Sequence, residues 1–346
     1  MSEKKLKLAV AGVGNNITAL MQGVSFYKDQ RTADCLVGIK NPFIGSLHVS
    51  DIDFVAAFDI DDKKIGASLD QAIFAGTNNY PMLDVHLDQS PCRVVKGIRM
   101  SGNCLSNMEQ VVDTLRESGA EVLLYSLPTG LQWAADAYAA AALEAGVAFV
   151  NCTPEVVSRN ADTLGKFKEA GIPLLGDDLA SHLGSSVVHR VLLRLLAERG
   201  ITLTSSYQLN LGGNADFANL RVAGASKHQS KLNALAQDGV DTSAVEVIPS
   251  AGFLKQLNDN KVGYFNIEGA GWAGTPVSLD LKLKVQDSSN AAGVIIDLIR
   301  VAAISLRLGK GGFNPAAVPC LKSPPGGHPH FSDDEIANSL AELSAA

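Results

Sequence analysis

Five lysines in the second half of the chain, Lys227, Lys231, Lys261, Lys282 and Lys322, are the side chains most able to act on an anion. Lys227 and Lys231 stand four apart in SKHQSK. On a helix they share a face and repel, a small cost that a bound phosphate relieves; a solvated face explains the pair as well. Lys282, in DLKLKVQDS, alternates with Leu281 and Leu283, so it points away from the apolar side of a strand together with Lys284. Lys322 precedes Ser-Pro-Pro and Lys261 ends NDNK before a strand. Each reads as a site ammonium or as a loop charge. In GGNADF, Asn214 and Asp216 follow Gly212-Gly213 and form either a site turn or a capped helix start. Ammonium groups gathered on a separate segment suit a phosphorylated substrate and a developing oxyanion.

The elements that must position them begin with a strand at 6–12, LKLAVAG, and a helical pattern in NNITALMQGVSFY. Between them lies Gly12-Val13-Gly14-Asn15-Asn16, where a dinucleotide fold places its phosphate turn. Gly12 permits the tight turn and Gly14 lets backbone approach a pyrophosphate at the positive helix end. The third glycine of the fingerprint is replaced by Ile17. Asp59, at the carboxyl end of the next strand, suits an adenosine ribose and repels a 2′-phosphate, which favours NAD over NADP. Asp61 and Asp62 are rivals for that role. Ser126, Thr153, Asp177 and Asp178 also fall at carboxyl ends of strands, where open α/β sheets bind ligands.

Strands at 52–60, 93–97, 121–127, 147–153 and 172–177, with helices near 62–75, 106–118, 131–145, 158–169 and 184–199, predict an α/β doubly wound parallel sheet of Rossmann type. After residue 200 the alternating segments ITLTSSYQLN, VGYFNIEG and VSLDLKLKVQD predict an inserted mixed or antiparallel sheet. The apolar stretch 291–308 is a helix that returns to the first sheet. The expected division is 1–200 for the dinucleotide domain, 201–290 for the inserted catalytic domain and 291–346 for the return.

At 346 residues the chain is long enough for two domains or one large domain with an insertion. A net charge of −7 argues against nucleic acid or an anionic membrane as the main partner. The five cysteines, Cys35, Cys92, Cys104, Cys152 and Cys320, are scattered and odd in number, so neither a zinc site nor a disulfide frame is expected. MSEKK leads straight into a strand, and no apolar stretch reaches the roughly 18–20 residues of a membrane span, so a cytoplasmic protein is expected.

In order along nearly the whole chain, AGVGNN with MQGV, FVAAFDID with AIFA, GVAFVN, PLLGDD, HRVL, QLNLGGNADFANL, SKHQSK, KVQDSSNAAGVIIDLIR and LKSPP resemble the inositol-3-phosphate synthase (myo-inositol-1-phosphate synthase) family. The resemblance implies a homotetramer that retains NAD and closes a hexose 6-phosphate into a carbocycle. Oxidation at carbon 5 acidifies carbon 6, the enolate attacks carbon 1, and the hydride then returns. By motif, Lys227, Lys231, Lys261 and Lys322 match the active-site lysines, Asp216 comes from the GNxD turn, and Lys282 and Asp287 lie close by, Asp287 beside the cofactor. Lys231 and Lys322 are expected on the oxyanions, and Lys227 on phosphate or proton transfer. Glucose 6-phosphate is the expected substrate. Three departures stand out: Ala180 where the family carries a lysine after GDD, Gln286 near a usual tryptophan, and VAGA at 222–225 where charge is common. Relatives in secondary metabolism imply the alternative of fructose 6-phosphate closed to a five-membered ring. A dehydrogenase releasing NADH and an NAD-sensing regulator are the further alternatives.

Overall fold

The computed structural model describes residues 5–32, 36–102, 104–220, 225–236, 242–326 and 331–345. Cys35 and residues 222–224 of the VAGA stretch lie outside them. Six strands, β1 (Leu6–Ala11), β2 (Ile52–Asp59), β3 (Val94–Lys96), β4 (Val122–Tyr125), β5 (Ala148–Asn151) and β6 (Leu174–Leu175), form a wholly parallel sheet in the order β3-β2-β1-β4-β5-β6. That order puts the switch point of a doubly wound sheet between β1 and β4, at the end of the glycine turn.

Alternation along β1 explains the layers. Leu6, Leu8 and Val10 face a core shared with α1 (Asn15–Phe26) and the long helix Asp287–Arg307, while Ala9 and Ala11 face α2 (Met108–Ser118) and α3 (Gln132–Ala145). α4 (Ala161–Glu169) crosses from β5 to β6. The helix expected near 62–75 shrinks to Leu69–Ala72, because Gly66 turns the chain at φ +85° just before it.

α5 (Ser185–Glu198) leads to a second sheet of β7 (Thr202–Gly212), β8 (Val245–Phe253), β9 (Asn260–Ala270) and β10 (Pro276–Gln286), in the order β8-β7-β9-β10. The sheet is mixed. β7 and β8 run parallel because α6 (Ala215–Asn219) and α7 (Ala225–Leu235) carry the crossover between them, whereas β9 and β10 form an antiparallel hairpin. Leu193 and Leu196 of α5 pack on Ile267 of β9, so one sheet face is covered.

Asp287–Arg307, here α8, returns to pack on α1 and the first sheet, as its apolar sequence predicts. It is long and apolar enough to cross a membrane, which corrects the expectation of no such stretch; two thirds of its most apolar window is buried inside the fold. Its one inward cation, Arg300, is satisfied by the carbonyls of Asn41, Pro42 and Leu47 and by Asp297. α9 (Asp333–Ser344) closes the chain.

Candidate active site

The glycine turn has the form the sequence asks for. Gly12 holds φ +89°, its N–H donates to the Phe58 carbonyl at 2.8 Å, and a Cβ there would sit 2.6 Å from the Ser126 carbonyl oxygen. Gly14 precedes α1 without a side-chain cap, and nothing lies within 4 Å of where its Cβ would be. The backbone at Gly14 therefore has open space beside it at the positive end of the helix. Asp59 is fixed on the turn: one oxygen accepts from Val13 N at 2.8 Å, the other from Ile60 N and Asp61 N. Asp61 accepts from the Lys63 amide and Asp62 pairs with Arg99 on the surface, and of the three it is Asp59 that bonds to the glycine turn. Buried Lys64 sits 3.6 Å from Asp59 and donates to the Val13 carbonyl. An uncapped helix start, a glycine with clear space above it and a carboxylate on the turn fit a dinucleotide.

The two asparagines after Gly14 are ties rather than free donors. Asn16 donates to Ser126 Oγ at 3.0 Å. Asn15 donates to Asn79 and to Asp259, two residues before Lys261, and Asn79 in turn donates to the Gly213 carbonyl. The turn is thus bolted to the sheet that carries the lysines. Burial raises the Asp259 carboxyl above its ordinary value, against the hydrogen bonds from Ser288 and Asn15.

The pair Asp177-Asp178 splits. Fully buried Asp177 accepts from Asn151, from the amides of Val157, Ser158 and Arg159, and from Arg159 Nε at 3.1 Å. Its expected cofactor role gives way to anchoring this turn, and Thr153 likewise bonds to Asn151. Asp178 instead becomes the centre of the lysine cluster. Its Oδ1 accepts from Lys227 Nζ at 3.1 Å, and its Oδ2 from Lys322 Nζ at 3.0 Å and Ser230 Oγ at 2.6 Å. The segment 320–323 reaches it by antiparallel backbone pairing with 177–180, in which Lys322 N donates to the Asp178 carbonyl. Burial would raise the Asp178 carboxyl; Lys227 and Lys322 outweigh it and hold the group below the ordinary carboxylate range.

Lys227, Lys322 and Lys231 divide by charge state. Burial lowers Lys227, yet Asp178 and Asp216 more than reverse this, so it stays an ammonium. Lys322 is pushed down to about 8 by burial, with Asp178 opposing and Lys227 and Lys261 adding to the fall. Lys231 is held well below the ordinary lysine value, first by burial and then by Lys261, Lys322 and Lys227. Its Nζ donates to neutral acceptors, Ser185 Oγ at 3.0 Å and Asn210 Oδ1 at 3.3 Å. Lys261 pairs with Asp287 at 3.1 Å and lies over the Phe217 ring, while Asn214 donates to the other Asp287 oxygen. Burial raises Asp287, but Lys261 and Asn214 draw it below its usual value. Three lysines thus pair with two carboxylates, Asp178 and Asp287, and the fourth, Lys231, stands beside them on neutral acceptors.

One expected residue, Lys282, stands apart. Lys282 pairs across the strands with Tyr264 and lies over its ring, whereas Lys261 pairs with Val285. A three-residue offset on a period of two puts Lys282 on the opposite, exposed face of the sheet, so it leaves the site. Asp216 lies at the start of α6 and accepts from Thr129 Oγ1 at 3.0 Å. Residues that the sequence reading passes over include Ser230, which stands with Lys227 and Lys231 on one face of α7 at three- and four-residue spacing, and Ser185, Asn210 and Asp259. Ala180 is buried two residues from Asp178, and its N–H donates to the Cys320 carbonyl.

Residues 184–288 match the family model for myo-inositol-1-phosphate synthase. The chain is 38% identical to an inositol-3-phosphate synthase of Corynebacterium glutamicum over 99% of its own length and 98% of the relative's. It is also 38% identical to one of Mycolicibacterium smegmatis, covering 93% of each. Among solved structures it is similar to Ari2, at 58% identity and a TM-score of 0.88 over 99% of this chain and 98% of that one. An inositol-3-phosphate synthase of Caenorhabditis elegans, at 15% identity and a TM-score of 0.70 over 99% and 86%, shares the fold.

Proposed function

Because the chain belongs to the inositol-3-phosphate synthase family, we propose that it closes glucose 6-phosphate into a carbocyclic inositol phosphate with NAD held through the cycle. The observation that carries this reading is the gathering of four lysines in one site, three on Asp178 and Asp287 and Lys231 beside them, tied through Asn15 and Asp259 to the glycine turn. Ammonium groups so gathered suit an anionic substrate. Gly12, Gly14 and the first turn of α1 would hold the NAD pyrophosphate, and Asp59 the ribose. NAD, when bound, supplies reversible hydride acceptance, which leaves substrate and product isomeric.

The lysines take distinct roles on this reading. Lys231, a buried amine of lowered pKa, removes the proton from carbon 6. Lys322 sits beside the oxyanions, where an ammonium in a dry pocket stabilises charge as it develops. Lys227 stays charged through Asp178 and suits the phosphate, one of the roles the resemblance gives it, while Lys231 moves from the oxyanions to the proton transfer. Lys261 is aimed by Asp287. The protein would work as a cytoplasmic homotetramer.

A second reading, fructose 6-phosphate closed to a five-membered ring, is favoured by Ala180, since loss of a family lysine beside Asp178 changes the fit around the sugar. Incubation of the purified protein and NAD with each sugar phosphate, followed by NMR of the product ring, separates the two. Lys322→Ala is expected to lower turnover by about 10²–10⁴-fold. Steady accumulation of NADH with an open-chain product would instead mark a dehydrogenase.

A further inference from the structure

The inner face of β7 breaks the rule that a buried strand face is apolar. Ser206, Gln208 and Asn210 alternate along it, and all three are buried. Such a polar stripe is costly to bury unless every group is satisfied. Its hydrogen bonds lead to Lys231.

We infer that His189, Gln208 and Asn210 form a positioning network that orients the Lys231 amine, through two acceptor oxygens, with its lone pair toward the substrate. This deepens the reading above and rests on Lys231 as the proton acceptor. Asn210 Nδ2 donates to the Ile248 carbonyl at 2.9 Å, which fixes its amide and turns Oδ1 toward Lys231. Gln208 Nε2 donates to Asn210 Oδ1 at 3.0 Å and to Ser185 Oγ at 2.9 Å, the same two oxygens that accept from Lys231. Gln208 Oε1 therefore points the other way, to His189 Nδ1 at 3.3 Å. An amide oxygen carries no hydrogen, so Nδ1 must hold the imidazole proton. His189 Nε2 then has no hydrogen and accepts from Ser206 Oγ at 2.7 Å, with the Asn266 carbonyl 2.8 Å from the same hydroxyl. The chain of donors thus starts at Ser206 and ends on the Ile248 carbonyl of β8.

A neutral amine has two hydrogens and one lone pair. Ser185 and Asn210 accept both hydrogens, which leaves the lone pair on the remaining side. Burial, opposed by the hydrogen bond to Gln208, pushes His189 down to about 4, so its ring is a neutral donor at physiological pH. The charged and titratable groups around Lys231 are Lys227 on its own helix, Lys261 on β9, Lys322 and Asp178 on the paired segments and His189 on α5. Lysines outnumber carboxylates in this set, and the acceptors in direct contact with Lys231 Nζ are neutral.

The test uses the full-length enzyme with NAD and sugar phosphate, comparing wild type with Gln208→Glu, His189→Leu and His189→Asn. Gln208→Glu sets a carboxylate where an amide stood and raises the Lys231 pKa. The acidic limb of the kcat profile is expected to move up by about one unit or more, a tenfold shift in protonation. His189→Leu is expected to lower kcat by about tenfold with KM little changed, and His189→Asn, whose amide can still donate to Gln208, to recover most of it. ¹⁵N NMR of lysine-labelled protein, with Lys231 assigned by Lys231→Arg, follows the amine whether or not the enzyme turns over. A Lys231 titration that rises in Gln208→Glu, in a protein that cyclises neither sugar, keeps the network and removes the functional reading. A cyclising wild type whose limb and Lys231 titration stay put in Gln208→Glu overturns the network. So does a folded His189→Leu indistinguishable from wild type. Should His189→Leu not fold, the near-isosteric Gln208→Glu still decides.

Discussion

Asp178 holds Lys227 and Lys322 on its two oxygens, so its removal leaves two buried ammonium groups short of a counter-charge. Asp178→Asn is expected to cost about 3–5 kcal/mol, read as a fall in Tm and in denaturant midpoint. Because the folded-state pKa of Asp178 lies below the unfolded value, its stabilisation is present above the ordinary carboxylate range and is lost as pH falls through the folded value. The variant should therefore show a shallower acid-unfolding profile. Lys322 has a linkage of the same sign at higher pH, but here it is the charged form that the fold disfavours. Its folded value of about 8 lies below the unfolded one, so this group makes the fold gain stability as pH rises from about 8 toward 10.5. Activity that needs a charged Lys322 should fall on the alkaline side of about pH 8, and Lys322→Arg, where active, should move that limb upward. The lysines themselves were legible as residue types at helical spacing. Asp178 as their shared partner was not, because its contacts span 49, 52 and 144 residues of chain and local pattern carries no trace of them.

Among the elements, the β1–α1 turn carries the sharpest consequence. Gly12→Ala would place a methyl 2.6 Å from the Ser126 carbonyl at a φ that L-residues avoid, costing about 1–3 kcal/mol. Weaker NAD binding with a modest drop in Tm is the expected result, read by fluorescence titration and by melting. The six parallel strands were readable because apolar runs separated by helical patterns allow few arrangements. β8 was not: Pro249 interrupts its alternation, and the structure tolerates it because β8 is an edge strand whose register against β7 slips there. α9 is announced by Ser332 and Glu335, which form a reciprocal capping box, a signal that the sequence reading leaves unused. For Lys282 the alternation with leucine was right and the inference of a site residue wrong; register against β9 decided the face, and register is invisible before pairing is known.

At the scale of the molecule, α5 covers one face of the second sheet, while Tyr207, Ile248 and Tyr264 stand exposed on the other. They are neighbours across β7, β8 and β9, since Leu209 pairs with both Ile248 and Tyr264. A half-apolar, open sheet face of this kind suits self-association, and the homotetramer proposed above would use it. Tyr264→Glu is expected to lower the mass found by light scattering; an unchanged mass would place assembly elsewhere. The central claim is that a hydride leaves carbon 5 and returns to it within one turnover while buried lysines carry the ring closure. Its most direct measurement is the fate of deuterium at carbon 5 of glucose 6-phosphate, incubated with the protein and NAD and followed by NMR. Retention of the label at the corresponding carbon of a carbocyclic phosphate, without accumulating NADH, is the expected result. Label appearing in free reduced cofactor, beside an open-chain product, would contradict it.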